Sequence, residues 1–295
     1  MNGLLLVDKP EGFTSFDIVA IARKLTSQKK IGHTGTLDPN ATGVLPLLLG
    51  NATKAQDIIP NHDKEYIAGF KLGVTSDTLD IWGKIKSEIK SGVKLTELEN
   101  ILKNFRGEIE QLPPMYSAVS VGGQRLYSLA RKGIEIERKS RKITIYELEL
   151  LNFDEKTQSG KLRVSCSKGT YIRTLIDDIG ASLKAGAVMT SLDRIKACGF
   201  LKEECLSLER LKKLSPAEIE EKLISTEKLF LSFPELKVSK AQAQRFQNGG
   251  ALDITRTPLS GKENIEKKIY RVKYDGGFCG LGIVKNNELK IYKHF

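Results

Sequence analysis

The segment GHTGTLDPNATG, Gly32 to Gly43, is too polar and too rich in glycine for regular structure, yet it leads straight into the apolar run Val44 to Leu49. Strand-like runs stand on both sides of it, Gly3 to Val7 before and Glu65 to Leu72 after. Between the first strand and the loop, Thr14 or Ser15 is placed to cap a helix whose Ile18, Ile21, Ala22 and Leu25 share one face. The chemistry of the chain is expected on this loop, since connections carried by a rigid scaffold hold most functional groups.

The rest of the chain alternates between the two periods. A helix is predicted from about Thr96 to Phe105, with Thr96 and Glu99 as a capping box and Gly107 as its stop. After Pro113 and Pro114 comes a basic stretch with a short helix near Leu126 to Lys132, closed by Gly133, and then the strand-like Ile143 to Phe153. This stretch has the character of a protruding arm. Val164 to Ser167 reads as a strand feeding a helix from about Tyr171 to Lys184, and Ser215, Pro216 and Glu218 form another helix start. Near Phe233 the pattern changes to a short helix, Ser239 to Asn248, and three short strands around Tyr270 to Tyr274, Phe278 to Val284 and Leu289 to Tyr292. The 295 residues, 40% of them hydrophobic, suffice for one large core plus a small β-rich C-terminal domain. There is no fixed-period repeat and no low-complexity tract, which speaks against a solenoid or a disordered scaffold.

Charge narrows the partners. A formal net charge of +11 favours a polyanion, either nucleic acid or an anionic membrane surface. The basic residues cluster in Arg125, Arg131, Lys132, Arg138, Lys139, Arg141 and Lys142, although any one of them can equally belong to a solvated helix face. No apolar run approaches the roughly 20 residues needed to span a bilayer. The start, MNGLLLVDKPEG, meets Asp8 and Pro10 before a signal-peptide core can form, so a cytoplasmic location is expected. Cys166, Cys198, Cys205 and Cys279 are far apart with no CxxC pair, and His33, His62 and His294 are equally scattered, so neither a zinc site nor a disulfide framework is expected.

Three constellations can carry chemistry. The loop holds one carboxylate, Asp38, whose backbone the following Pro39 biases toward an extended form, while Thr34, Thr36 and Thr42 can hydrogen-bond the loop's own amides. A carboxylate on a stiff loop can be a nucleophile, although a purely structural Asp-Pro turn is the commoner meaning of such a pair. A phosphate-cradling loop is disfavoured because no GK[ST] follows the glycines. The second constellation, KGTYIRTLIDDIG from Lys168 to Gly180, puts Tyr171 and Arg173 where a strand turns into a helix. An arginine that reached Asp38 would hold it ionised and in one orientation; a half-buried aromatic and a surface ion pair are the plainer readings of the two residues. The third, KEYIAGFKLGVTSDTLDIWG from Lys64 to Gly83, offers Tyr66 on a strand and Asp77 and Asp80 on the following turn.

Taken together and in this order, these elements resemble the bacterial tRNA pseudouridine-55 synthases, the TruB family. The carrying residues are LLLVDKPEGFTSFD, GHTGTLDPNATGVLPLLLGNATK, KEYIAGFKLGVTSDTLDIWG, QLPPMYSAVSVGGQRLYSLARKGIEIERKSRKITIYELEL and KGTYIRTLIDDIG. They cover essentially residues 1 to 200, and the C-terminal region is similar, more loosely, to the family's PUA-like RNA-binding domain. The resemblance implies an α+β fold with a mixed, mainly antiparallel sheet flanked by helices, a catalytic domain over residues 1–232 with an inserted arm at about 113–142, and a C-terminal domain over 233–295.

By the same resemblance Asp38 is the catalytic aspartate, Arg173 its ion-pair partner and Asp80 the second carboxylate holding that arginine. Tyr66 stacks on the target uracil, His33, Tyr171 and Leu192 line the base pocket, and Lys9 and Pro10 pack beside the site. The arm, with Arg125, Arg131, Lys132 and Arg141, grips the T-loop of tRNA. The implied partner is tRNA, with no membrane, no metal and no cofactor, and the implied state is a monomer. The chain departs from the family pattern at Ser120, where the arm usually has lysine, at Ser76, where threonine is usual, and at Asp193, where the first of two arginines is usual. These departures bear on the grip on RNA more than on Asp38, Tyr66 or Arg173. The alternative from another class is a non-catalytic protein that binds or folds tRNA, which has no chemical reason to keep Asp38, Tyr66 and Arg173 together.

Overall fold

In the computed structural model, which describes residues 1–117 and 119–295, the chain begins with the buried strand β1 (Gly3–Lys9). Helix α1 (Ser15–Thr26) follows, capped by Thr14: its hydroxyl accepts from the Asp17 amide, and the Asp17 carboxylate accepts from the Thr14 amide at 2.8 Å. Then come β2 (Ile31–His33), the Gly-rich loop, β3 (Thr42–Leu49), β4 (Lys64–Leu72) and a small hairpin of β5 (Val74–Ser76) and β6 (Ile85–Glu88). Helix α2 (Leu95–Leu102) starts one residue earlier than Thr96 predicts. Its cap is built on Lys94, whose amide donates to Glu97 at 2.8 Å, and the next amide, Leu95, donates to Glu155 at 2.9 Å. A carboxylate 60 residues away thus sets the helix start in place of the local Thr96.

After β7 (Gly107–Gln111) the arm carries a two-stranded hairpin, β8 (Ser120–Val121) and β9 (Gln124–Arg125), and the short helix α3 (Leu126–Ala130). Long strands β10 (Arg141–Asp154) and β11 (Ser159–Cys166) lead to α4 (Ile172–Ser182) and β12 (Ala187–Ala197), and then to β13 (Phe200–Leu201), β14 (Leu206–Ser207), α5 (Leu208–Leu211) and α6 (Pro216–Glu221). The C-terminal part holds β15 (Glu235–Lys237), α7 (Lys240–Gln247), β16 (Leu252–Asp253), β17 (Ile269–Tyr274), β18 (Gly277–Lys285) and β19 (Glu288–Lys293). Ser215 and Ser239 cap α6 and α7, each in a reciprocal box with the residue three positions on.

The chain divides into two compact units. One comprises Asn40–Val44 and His62–Lys202. Its strand order is β3, β12, β4, β11, β10, β7. The ladders β12/β4, β4/β11, β11/β10 and β10/β7 are antiparallel, whereas the start of β3 runs parallel to β12 through Thr42↔Asp193 and Gly43↔Arg194. The sheet is therefore mixed and mainly antiparallel, as expected. Gly43, at φ +105, is required there, because a Cβ would collide with the backbone of Arg194.

The other unit comprises Met1–Pro39, Leu45–Asn61 and Glu203–Phe295. Here β1 lies between β14 and β3, and β2 pairs antiparallel with β3 from Ile31↔Leu49 to His33↔Leu47. Apolar residues of β1, α1 and β3, among them Val7, Ile18, Val19, Leu45 and Leu47, form one core with Leu211 and Ile219. A separate five-stranded sheet, in the order β15, β17, β18, β19, β16, builds its own core from Leu236, Phe246, Val272, Val284 and Leu289. Arg271 on β17 ties this sheet to the preceding segment, donating to the Phe233 carbonyl at 2.9 Å and pairing with Glu227. No helix among the described residues is long and apolar enough to cross a membrane.

Helix α4 buries Ile172 to Ile176, Ile179 and Gly180, leaving Asp177 and Asp178 half-buried. Burial, reinforced by the Asp177 carboxylate, pushes the Asp178 carboxyl up to about 6. Between roughly pH 4, where an unfolded aspartate titrates, and pH 6 the folded chain holds a proton that the unfolded chain has lost, so stability falls as pH rises through this window. Asp178→Asn removes the penalty. It is expected to raise the Tm by about 2 °C at pH 8, after allowing for solvent screening of a half-exposed group, and to give no gain at pH 4. An equal gain at both pH values in thermal melts would assign the effect to packing.

Candidate active site

Asp38 is half-buried on the Gly-rich loop, and the residues on either side of it are tied down. Before it, Leu37 is buried and exchanges two hydrogen bonds with the Ser15 side chain: its amide donates to Ser15 Oγ at 2.8 Å, and the hydroxyl donates to its carbonyl at 3.1 Å. After it, the Pro39 carbonyl accepts from Lys9 Nζ and from the Gly12 amide, each at 3.0 Å. Lys9 is fully buried, and its ammonium also donates to the carbonyls of Pro10 at 2.9 Å and Phe13 at 2.7 Å. A buried cation is tolerable only when oxygens replace its water, and these carbonyls do so. The strand end, its turn and the Asp38 loop are stapled by one ammonium. His33 ends β2 opposite Leu47, and Pro10 follows Lys9, so four of the expected residues, Lys9, Pro10, His33 and Asp38, belong to this unit.

The other unit brings together Tyr66, Asp80, Tyr171, Arg173 and Leu192. On β4, Tyr66 stands opposite Arg194 and Ala68 opposite Leu192, so Tyr66 and Leu192 share one face of the sheet; both are buried. Arg173 projects from the first turn of α4 and is itself buried. Its Nη1 donates to the Thr78 carbonyl at 3.0 Å and lies 3.9 Å from Asp80 Oδ2, while its Nη2 donates to the Tyr116 carbonyl at 2.9 Å. The guanidinium fork thus joins the turn after β5 to the root of the arm. Tyr171, at the N-cap of α4, is held through its backbone by Gln111: its amide donates to Gln111 Oε1 at 2.8 Å and its carbonyl accepts from Gln111 Nε2 at 3.1 Å.

Several supports escaped the sequence. Ser15 is weighed there as a helix cap, but Thr14 caps α1 and Ser15 clamps the catalytic-loop candidate instead. Gln111 and the carbonyls of Thr78 and Tyr116 carry no local signal, because their partners lie 57 to 95 residues away. Thr42 serves Asp193 rather than a loop amide, donating to its Oδ1 at 2.8 Å. Asp193, which departs from the family pattern, also receives Lys202 Nζ at 2.7 and 2.9 Å. Ser76, the second departure, is buried and donates to the Asp80 carbonyl at 2.6 Å, and Ser120, the third, is exposed and donates to Gln124 at 3.2 Å.

In the arm, Arg125, Arg131, Lys132 and Arg141 are exposed. Arg131 lies over the Tyr127 ring at 5.6 Å, whereas Arg138 and Lys142 are engaged within the fold by Pro113 and Glu108. Among the described residues no cluster of three or more His, Cys, Asp or Glu side chains is placed to hold a metal ion.

Residues 23–172 match the family described as TruB family pseudouridylate synthase (N terminal domain). The chain is 43% identical over 295 residues, 99% of its length and 98% of the relative's, to a tRNA pseudouridine synthase B of Clostridium perfringens (strain SM101). It is 44% identical over 294 residues, 99% of both chains, to one of Clostridium tetani. Among solved structures, a Cbf5-Nop10-Gar1 complex contains a chain that superposes with a TM-score of 0.74 at 24% identity, covering 99% of this chain and 84% of that one. At that identity the likeness carries the fold alone, an α+β fold with a mixed sheet.

Lys9→Met keeps the bulk of the side chain and removes the donor to three carbonyls. The expected cost is about 2–4 kcal/mol in urea denaturation, with faster hydrogen exchange at Leu37. Unchanged stability and exchange would show that Lys9 does not hold the loop.

Proposed function

This chain belongs to the TruB family of pseudouridylate synthases, and from that premise we propose that it isomerises uridine 55 in the T-loop of tRNA to pseudouridine, with Asp38 as the nucleophile. The observation that carries the assignment is the two-sided clamp on Asp38, by Ser15 at Leu37 and by Lys9 and Gly12 at Pro39. A nucleophile gains most when its position is fixed before the substrate arrives.

The reaction breaks the N1–C1′ bond, turns the uracil and joins C5 to C1′; the proton leaves C5 and N1 acquires one. No atoms are gained and no oxidation state changes, so the chemistry calls for no redox cofactor. The target base is stacked in the folded T-loop and is flipped out at a cost of a few kcal/mol. Stacking on Tyr66 returns roughly 1–3 kcal/mol of this, and His33 fills the space that the base vacates. Asp38 then attacks C1′, adds to C6, or assists loss of the C2′ proton to give a glycal. All three routes use an ionised Asp38, for which Arg173 supplies the compensating charge and Asp80 holds Arg173 in turn. Tyr171 and Leu192 confine the freed uracil, and Tyr66 is also a candidate for proton transfer, although a ring that stacks on the base has its hydroxyl constrained.

In this reading residues 1–232 form the catalytic domain and 233–295 a PUA-like RNA-binding domain. The arm, about 113–142, meets the T-arm through Arg125, Arg131, Lys132 and Arg141, and the protein works as a cytoplasmic monomer. The departure at Asp193 is offset by Lys202, which supports an unaltered pocket wall around Leu192.

Incubating the protein with an unmodified tRNA transcript and mapping pseudouridine nucleotide by nucleotide tests the reading. One new pseudouridine in the T-loop is expected, and Asp38→Asn should cut turnover below about one-thousandth while leaving tRNA binding nearly intact. Activity retained by the variant would remove Asp38 as the nucleophile, and tight binding without modification would favour the RNA-binding alternative. Changing Arg131, Lys132 and Arg141 together to Gln should lower the slope of log Kd against log salt by about 2 to 3. An unchanged slope would take the arm out of the interface.

A further inference from the structure

Trp82, the single tryptophan of the chain, is 43% exposed, although tryptophan is highly buried on average. It occupies the turn between β5 and β6, which is held by unusually many bonds. The Thr78 hydroxyl and the Trp82 amide both donate to Asp80 Oδ1, at 2.6 and 3.2 Å. The Lys84 amide donates to Asp77 Oδ1 at 2.7 Å, and the Asp77 amide returns a bond to the Lys84 carbonyl at 3.1 Å. Two more bonds dock the turn on β12: Ile81 N–H to the Met189 carbonyl at 2.9 Å, and Met189 N–H to the Leu79 carbonyl at 3.1 Å. Gly83 is required, since a Cβ there would collide with the Thr78 side chain. An aromatic ring on so stiff a support loses little conformational freedom when something stacks on it.

The surroundings state what would stack. Lys84, Lys86 and Lys90 are exposed along the same hairpin, interleaved with the exposed Ile81, Ile85 and Ile89. The one acidic residue of β6, Glu88, lies 3.6 Å from Lys71, and Asp77 and Asp80 are bonded inside the turn. A flat aromatic face among cations, with the nearby carboxylates engaged, fits an unpaired nucleobase and its phosphates. The position fits as well. The turn that bears Trp82 also gives Arg173 the Thr78 carbonyl and the Asp80 carboxylate, and the Trp82 Cα lies within about 7 Å of that of Asp80.

We propose that Trp82 is a stacking platform for an unpaired base of the RNA substrate, a nucleotide close in sequence to the uridine that is isomerised. This deepens the proposed function and rests on it: Trp82 fixes the register in which the substrate strand enters, and is a positioning residue.

A lone tryptophan makes the test direct, because its emission reports this one position. An unmodified T-arm hairpin RNA is titrated into the Asp38→Asn protein. The expected result is quenching of the emission, and loss of access to acrylamide, that saturate together with RNA retention on a filter. In the otherwise unaltered protein, Trp82→Ala should weaken Kd about tenfold and raise KM more than it lowers kcat, and Trp82→Phe should recover most of the loss. An abasic substitution at one T-loop position should abolish the quenching and leave Trp82→Ala without further cost. RNA retained with emission and acrylamide access unchanged would overturn the proposal, as would Ala and Phe variants equally weak at unchanged Tm, which would mark a structural role. Protection of Trp82 by a protein partner and not by RNA would overturn it too. In each of these cases pseudouridine is still formed by the wild-type protein; absence of both pseudouridine formation and RNA retention would instead bring down the functional reading, and this inference with it.

Discussion

A cation taken out of water must find oxygen atoms to replace its hydration, and this constraint organises the residues around the proposed chemistry. Lys9, Arg173 and Arg194 are all buried, and each is met by backbone carbonyls: Lys9 by Pro10, Phe13 and Pro39, Arg173 by Thr78 and Tyr116, Arg194 by Val44 at 2.7 Å. A carbonyl acceptor differs in consequence from a carboxylate. It ties the donor to the main chain itself, so the donor geometry locks the backbone; Arg173 lies in addition 3.9 Å from the Asp80 carboxylate. Irregular segments that would otherwise drift, the Asp38 loop in one unit and the turn and arm root in the other, are thereby held without being made into helix or strand.

How far the sequence disclosed this depends on the range of the interaction. Helix starts were legible wherever the capping pair is local, as at Thr14 with Asp17, Ser215 with Glu218 and Ser239 with Gln242. The start of α2 was not, because the capping position is Lys94, which has no capping side chain, and Glu155 from another part of the chain accepts the next amide beside the Lys94–Glu97 pair. Strand β12 carries no clear local signal. Its sequence, AVMTSLDRIKA, has poor alternation and carries Asp193 and Arg194, and it becomes a strand by pairing with β4 on one side and β3 on the other. The same division runs through the candidate functional residues of each unit. Asp38, Tyr66 and Arg173 stand in motifs and could be named from the family resemblance; Ser15, Gln111 and the two carbonyls on Arg173 act through contacts that only the folded chain creates.

The departures from the family pattern read differently once their partners are known. An aspartate at position 193, where an arginine is usual, reverses a charge next to Leu192. Thr42 and Lys202 both bind it, so the local charge is balanced and the start of β3 is fastened to β12 by a side-chain bond in addition to the ladder. Ser76 keeps the hydroxyl on which the Asp80 carbonyl depends.

The turn from Ser76 to Lys84 shows why such securing is needed. Leu79 adopts a left-handed backbone at φ +64, which costs a non-glycine residue about 1–2 kcal/mol. A strained turn persists only where the surrounding bonds over-determine it. Here the Ser76 and Thr78 hydroxyls, the Asp77 carboxylate and the amide of Met189 supply that excess. The strain lets two residues so close in sequence serve opposite sides: Asp80 points its carboxylate toward the buried Arg173, and Trp82 remains exposed. A relaxed loop could offer either, but could not keep an ion-pair partner and a solvent-facing ring in fixed relation, and a fixed relation between the reacting centre and the rest of the substrate is what positioning in catalysis consists of.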